Sequence, residues 1–365
     1  MRFVLFYHSL VSDWNHGNAH FLRGVATELL ARGHEIRIYE PENGWSLRNM
    51  MREEGAEAAI DGFHAAWPGL DSVGYDLAKL NLGDALAEAD VVLVHEWNDH
   101  ELVRRIGEHH RQIGGYLLLF HDTHHRSVTD RESMATYDLS GYDGVLAFGE
   151  VIRQGYLKNG WARRAWTWHE AADPRVFRPT TAERQEGDLV WVGNWGDDER
   201  SAELQEFLIE PVKRLRLKAT VYGVRYPPHA LRALSDAGIN YGGWLPNHAV
   251  PEVFSRFALT IHVPRRPYVE ALPGIPTIRV FEALACGIPL VSAPWDDSEG
   301  LFTVGSEFQM VRSGRQMTDM IDCLLEDPKQ ARIQANEGLR TIHERHTCAH
   351  RVDQLTRILG EIENP

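Results

Sequence analysis

Short unbroken apolar runs recur along the first half of the chain, at residues 3–7, 91–94, 116–120 and 145–148. Runs of this length without polar alternation suit parallel strands covered on both faces. Between the first two, residues 19–32 carry Leu22, Val25, Ala26, Leu29 and Leu30 at helical spacing, and Gly33 stands where such a helix would end. Residues 34–39, HEIRIY, then read as a second strand. Strand, glycine-bearing loop, helix and strand make a βαβ unit. Because its crossover is right-handed, the expected fold class is α/β with a doubly wound sheet.

The apolar pattern pauses from Ala172 through the polar residues 180–188, so a linker is expected at 173–187. A second series of strands is expected at 189–192, 219–222, 259–263 and 288–291, separated by segments of helical length. The organisation predicted is a first Rossmann-like domain over 1–172 and a second over 188–345. Residues 346–365 form a last helix, whose stripe of Val352, Leu355, Ile358, Leu359 and Ile362 packs back toward the first domain. No repeat of solenoid period interrupts this reading. Ligands of doubly wound sheets bind beyond the carboxyl ends of the strands, so function is sought in the loops that follow them.

Composition narrows the partners. The chain has 365 residues, enough for two cores, and its 43% hydrophobic and 25% charged content is that of a globular protein. With 38 basic against 52 acidic residues the formal net charge is -14, which argues against nucleic acid and against anionic membrane as partners. Any anionic ligand must be met by locally placed arginines and backbone dipoles. The three cysteines, Cys286, Cys323 and Cys348, are too widely spaced for a zinc knuckle and odd in number for a disulfide set, which fits a cytoplasmic location. The opening MRFVLFYHSL is too brief an apolar run for a signal peptide or a membrane span, so no integral membrane segment is expected.

The most informative stretch is residues 273–291, PGIPTIRVFEALACGIPLV. Pro276 can occupy the first turn of a helix, and Gly287 with Pro289 would end it before a strand. A helix N-terminus offers unpaired amide donors and partial positive charge to a diphosphate, with Thr277 at its start. Glu282, further along, is placed to accept hydrogen bonds from a ribose diol, as acidic residues do in other nucleotide sites. The plainer reading of Glu282 is a helix carboxylate paired with Arg279.

Residues 281–291, FEALACGIPLV, resemble the donor-site signature of the GT-B glycosyltransferases that share the group-1 transferase domain, and LLARGHEI at 29–36 is similar to that superfamily's first helix running into its second strand. Val192-Gly-Asn-Trp, Glu199-Arg200, Arg279-Val-Phe-Glu282 and His346-Thr-Cys-Ala-His-Arg351 resemble the CgeB-like, spore-maturation branch. The resemblance implies GT-B architecture, two doubly wound Rossmann-like domains facing across a cleft, with a nucleotide-sugar donor on the second. It makes Glu282 the ribose ligand and gives the loop from Gly193-Asn194 to Arg200 a share of the diphosphate. It sets Trp244 or the backbone at Leu245 against the base. Arg265 and Arg266, after the strand ending at Val263, are further diphosphate candidates, since an arginine fork matches phosphate oxygens. Plainer readings are a solvated charged run for Arg200, a solvated loop for Arg265 and Arg266, and packing for Trp244. One departure stands out: many retaining members carry a glutamate eight positions before the ribose glutamate, and here that position is Gly274, with Glu270 the nearest substitute.

On the N-terminal side, polar clusters follow three strands: His8 to Asn18, residues 95–99 (HEWND), and residues 121–125 (HDTHH). Within the first, His16-Gly17-Asn18 is a candidate sugar or phosphate contact, which makes Gly17 a donor-binding residue; the plainer reading is a loop with a helix cap. Asp122, Glu96 or His121 could take a proton from an acceptor hydroxyl. The resemblance gives His121 a donor-sugar contact and leaves Asp122 the first choice of base. A metal at residues 121–125 is conceivable from ligand types, but no helical His-x-x-x-His pair accompanies it, so no metal and no cofactor beyond the donor are expected. The leading reading is a metal-independent glycosyltransferase acting on an unknown acceptor (small molecule, glycan or protein). The alternatives are a nucleotide-sugar 2-epimerase on the same fold and a non-catalytic nucleotide-sugar binding or assembly protein. Dinucleotide oxidoreduction lacks its G-x-G-x-x-G.

Overall fold

The computed structural model describes residues 1–181 and 184–364. Residues 182 and 183 of the expected linker, and residue 365 of the expected last segment, lie outside the described residues. The chain divides into two compact units, one of Met1–Glu170 with Cys348–Pro365 and one of Ala171–Thr347.

The first unit holds a seven-stranded sheet of β1 Arg2–Phe6, β2 Glu35–Pro41, β3 Val73–Tyr75, β4 Val91–His95, β5 Leu117–Asp122, β6 Gly144–Ala147 and β7 Ala165–Thr167. Its order is β3-β2-β1-β4-β5-β6-β7, parallel throughout. Every residue of β4 is buried, as an apolar run sandwiched by helices requires. The edge strands β3 and β7 have three residues each and carry no apolar run, so the pattern along the chain does not show them. The helix Cys348–Glu363 joins this unit, buries Val352, Leu355, Ile358, Leu359 and Ile362, and is pinned by Arg32, which reaches Asp353 at 2.6 Å. Trp168 Nε1 donates to Arg351 O at 2.8 Å, and Arg351 Nε to His169 O at 2.8 Å.

In the second unit β8 Gly187–Val192, β9 Ala219–Tyr222, β10 Asn240–Tyr241, β11 Phe257–His262, β12 Leu290–Ser292 and β13 Gln309–Met310 run in the order β10-β9-β8-β11-β12-β13, again all parallel. Its core gathers Trp191, Leu208, Val221, Leu259, Val291, Met317 and Ile321. The direction of winding reverses between β1 and β4 in one sheet and between β8 and β11 in the other. At such switch points the following loops part and leave a crevice at the carboxyl ends of the strands.

The helix expected near Pro276 begins later, at Ile278, and runs to Ala285. Thr277 precedes it as the N-cap in extended conformation (φ -78°, ψ 159°), and its hydroxyl binds His262 rather than the helix's own amides. The stop comes as expected, with Gly287 in the left-handed region at φ 64°.

Candidate functional site

At the switch point of the second sheet, the chain leaves β8 through a glycine whose N–H donates to Tyr222 O (2.8 Å) and whose carbonyl accepts from Tyr226 Oη (2.7 Å). Asn194 Oδ1 accepts from Val224 N at 2.9 Å. Gly196, at φ 83°, turns the chain into the short 3-10 turn Asp197–Glu199 and presents Arg200. Arg200 stitches the two switch-point loops together: Nη1 donates to Val263 O at 2.9 Å, Nη2 to Asn194 O, and the guanidinium carbon lies 5.1 Å from the Trp191 ring centre. Its buried Nε has no hydrogen-bond partner among the described residues. Loss of water, with the like charges of Arg265 and Arg279 nearby, lowers its pKa to about 9. Arg265 is tied to Glu199 at 3.2 Å, and Arg266 holds both oxygens of Glu203 at 3.1 and 3.3 Å.

The start of the helix Ile278–Ala285 is fixed by a residue the sequence reading passed over, His262 at the end of β11. Ser292 Oγ gives its hydrogen to Ala293 O (2.7 Å), so toward His262 Nδ1 (2.9 Å) it can only accept. That assigns the ring proton to Nδ1 and leaves Nε2 to accept from Thr277 Oγ1 at 3.0 Å. Burial, and Arg200's charge, lower His262 to about 3, so it is a neutral bridge from two strand ends to the helix. A polar residue ending an apolar strand was the available signal.

Glu282 lies one turn into this helix, wholly buried, and its Oε2 takes Arg279 Nη1 from the same helix face. The plainer pairing named above is thus present in the structure; Arg279 itself stays 27% exposed. Trp244 and Leu245 are half-buried in the loop after β10, which hangs on the carboxyl end of β9 by Gly223 N to Gly243 O at 2.8 Å. They share that end of the sheet with Asn194, Arg200 and Thr277. Gly274 sits at φ 87°, donates its N–H to Asp296 O at 2.6 Å, and is covered by the Glu299 side chain.

In the first unit the carboxyl ends of β1, β4 and β5 bring four imidazoles together. Ring centres are 3.9 Å apart for His8 and His16, 5.6 Å for His8 and His95, and 5.5 Å for His95 and His121. Burial lowers His8 and His121 to about 3 and depresses His16 and His95 as well. His121 Nε2 is buried with no hydrogen-bond partner among the described residues. Asp122 is buried; Oδ1 accepts from His124 N at 3.0 Å and Oδ2 from Tyr156 Oη at 2.8 Å, while burial raises its pKa to about 6. Glu96 is buried in an ion pair with Arg126, and burial pushes its carboxyl upward against that pull. Gly17 lies in the loop that Asn18 fastens to Thr123 Oγ1 at 2.7 Å. Among the described residues no group of three or more His, Cys, Asp or Glu is arranged to hold a metal ion. No helix among them is long and apolar enough to cross a membrane.

Residues 200–357 match a family model described as glycosyl transferase-like. No curated protein matches the chain. Among solved structures, Anabaena HepE in complex with UDP and glucose superposes with a TM-score of 0.69 at 13% identity, over 99% of each chain. Sucrose-phosphate synthase from Thermosynechococcus elongatus gives 0.65 at 13% identity, again over 99% of each. An α-glucosyltransferase in complex with UDP-glucose and DNA containing an abasic site gives 0.72 at 12% identity and 99% of each. Two parallel α/β sheets with these matches make the fold GT-B, with two Rossmann-like domains.

Proposed function

We propose, from the GT-B fold as premise, that this chain is a glycosyltransferase that moves a sugar from a nucleoside-diphosphate sugar to an acceptor hydroxyl without requiring a metal ion. The observation that carries the reading is the group of arginines at the second sheet's switch point. In a chain of net charge -14, Arg200, Arg265 and Arg279 stand near enough for the last two to depress the first. Like charges gathered at the carboxyl ends of parallel strands, beside a helix N-terminus, favour an anion of two phosphoryl groups. The partners of HepE and of the α-glucosyltransferase, UDP and UDP-glucose, support a uridine donor.

In this reading the arginines and the amides at Thr277 hold the diphosphate and stabilise charge as it leaves. Glu282 takes the ribose, and Trp244 or the Leu245 backbone meets the base. His121 offers its open Nε2 to a sugar hydroxyl, and Asp122, poised near neutrality by burial, exchanges the acceptor's proton. Glu96, held by Arg126, supports that pair. The test is incubation with UDP-glucose and other nucleoside-diphosphate sugars in the presence of EDTA, following release of the nucleoside diphosphate. Release that persists in EDTA and falls in Arg200→Met supports the proposal; donors that neither bind nor turn over overturn it.

A further inference from the structure

Beyond β1 and β4, at the switch point of the first sheet, stands a surface that none of the donor chemistry uses. Trp97 is 41% exposed, although tryptophan is usually well covered in a soluble protein. It is not a loose side chain. Arg126 lies 4.0 Å from its ring centre and is itself anchored on Glu96, and His124 meets the indole edge-on at 4.9 Å. The His8 ring centre is 6.0 Å away, and His16 packs on His8. His8 Nδ1 and His16 Nε2 are buried atoms with no hydrogen-bond partner among the described residues, and His16 is only 5% exposed. A buried polar atom is costly while unsatisfied, and a ligand that supplies the missing partner removes that cost.

We propose that Trp97, His8 and His16 form a platform for a neutral pyranose, so that the acceptor is itself a carbohydrate. This rests on the glycosyltransferase reading for its place in the reaction but not for the binding itself. A pyranose has an apolar C–H face and a rim of hydroxyls, and an exposed indole beside imidazole nitrogens matches both. Neutral imidazole can donate from one nitrogen and accept at the other, which suits a hydroxyl that does both. Burial holds both imidazoles neutral, helped by the charge of Arg126 at His8 and of Arg23 at His16. Arg126 is ion-paired with Glu96 and Arg23 with Asp13 at 3.0 Å, so neither is a bare cation beside the indole, and the glucuronide below tests for an anionic ligand. Arg23 also donates to Leu10 O (2.8 Å) and Val11 O (2.9 Å), which holds the loop that carries His16. An acyl chain would leave both imidazole nitrogens unsatisfied.

The experiment uses the full chain with and without saturating UDP, titrated with methyl glucoside, methyl galactoside, methyl N-acetylglucosaminide and methyl glucuronide. Binding is read by saturation-transfer NMR and calorimetry, and UDP affinity by calorimetry. The expected result is binding of at least one neutral glycoside, weakened tenfold or more in Trp97→Ala and in His16→Ala, largely kept in Trp97→Phe, with UDP affinity within twofold of the parent. Neutral glycosides that bind equally well to Trp97→Ala, or that fail to bind while UDP binds, overturn the platform. Preference for the glucuronide does the same. Glycoside binding that depends on Trp97 in a chain that does not bind UDP supports the platform and overturns the transferase reading instead. Binding of neither ligand overturns both.

Discussion

Glu282→Gln is the substitution that separates a nucleotide ligand from a helix ion pair. A carboxylate offers about four lone-pair directions on its two oxygens, and in this structure Arg279 Nη1 engages Oε2. A ribose diol would add hydrogen bonds to a charged acceptor, each contributing about 1.5–3 kcal/mol. Glutamine keeps the shape and one carbonyl oxygen but loses the charge, which about halves such bonds. The expected loss for two of them is about 1.5–3 kcal/mol, or about 10–150-fold in the dissociation constant for UDP. The folding cost is smaller. Arg279 is 27% exposed and can turn to water, so replacing its ionic partner by an amide costs about 1 kcal/mol. That lowers the unfolding temperature by about 2–4 °C. Removing the other partner, in Arg279→Met, is the harsher change, because it takes the ion-pair partner from a wholly buried carboxylate, at about 3–5 kcal/mol. Calorimetry gives the UDP affinity and a thermal melt without ligand gives the stability. A Glu282→Gln protein that melts lower yet binds UDP within threefold of the parent would show that the carboxylate serves the fold and not the nucleotide, and the ribose assignment would fall.

Three further outcomes follow from particular contacts. His8, His121 and His262 have folded values near 3, below the ordinary histidine value of about 6.5. The unfolded chain therefore binds more protons below pH 6.5, and each site loses about 1.4 kcal/mol per pH unit as the pH falls from there toward 3. Thermal melts at pH 7 and pH 5 should show the loss, and His262→Asn should reduce the slope; an unchanged slope refutes the assignment of a neutral buried His262. Gly274→Glu should destabilise by about 2–4 kcal/mol, because φ 87° disfavours any side chain and Glu299 occupies the space, and it should not raise turnover. A more active Gly274→Glu protein would contradict this. Arg23→Leu should cost about 3–5 kcal/mol, since it removes a buried ion pair with Asp13 and the donors to two loop carbonyls; a melt within 2 °C of the parent would show that this loop is held by other means.

Much of the fold was legible because strands buried on both faces must be written as apolar runs. Residues 3–7, 91–94 and 116–120 each fall on a central strand, and the stripe ending at Ile362 is buried as a helix face. The edge strands β3, β7, β10 and β13 were not legible. They have two or three residues and gain most of their order from a neighbour's backbone rather than from their own side chains. The helix start was misplaced by two residues for a similar reason. Proline permits a first turn at 276, but Thr277 takes the extended N-cap position, its hydroxyl engaged by His262, 15 residues away.

By itself, the sequence determined two doubly wound units, the stop signal at Gly287 and the supply of arginines, histidines and carboxylates in loops after strands. These follow from periodicity and residue chemistry, which are local. The pairing of Glu282 with Arg279 is local too, and was readable as an alternative. Only the tertiary structure decided that Arg200 reaches back to Val263, that Asp122 is held by Tyr156 and that Glu96 is locked to Arg126. It also decided that His8 and His16 meet beside an exposed Trp97. Each of these depends on which strands become neighbours at a switch point, and that is set by the order of the whole sheet rather than by any segment within it.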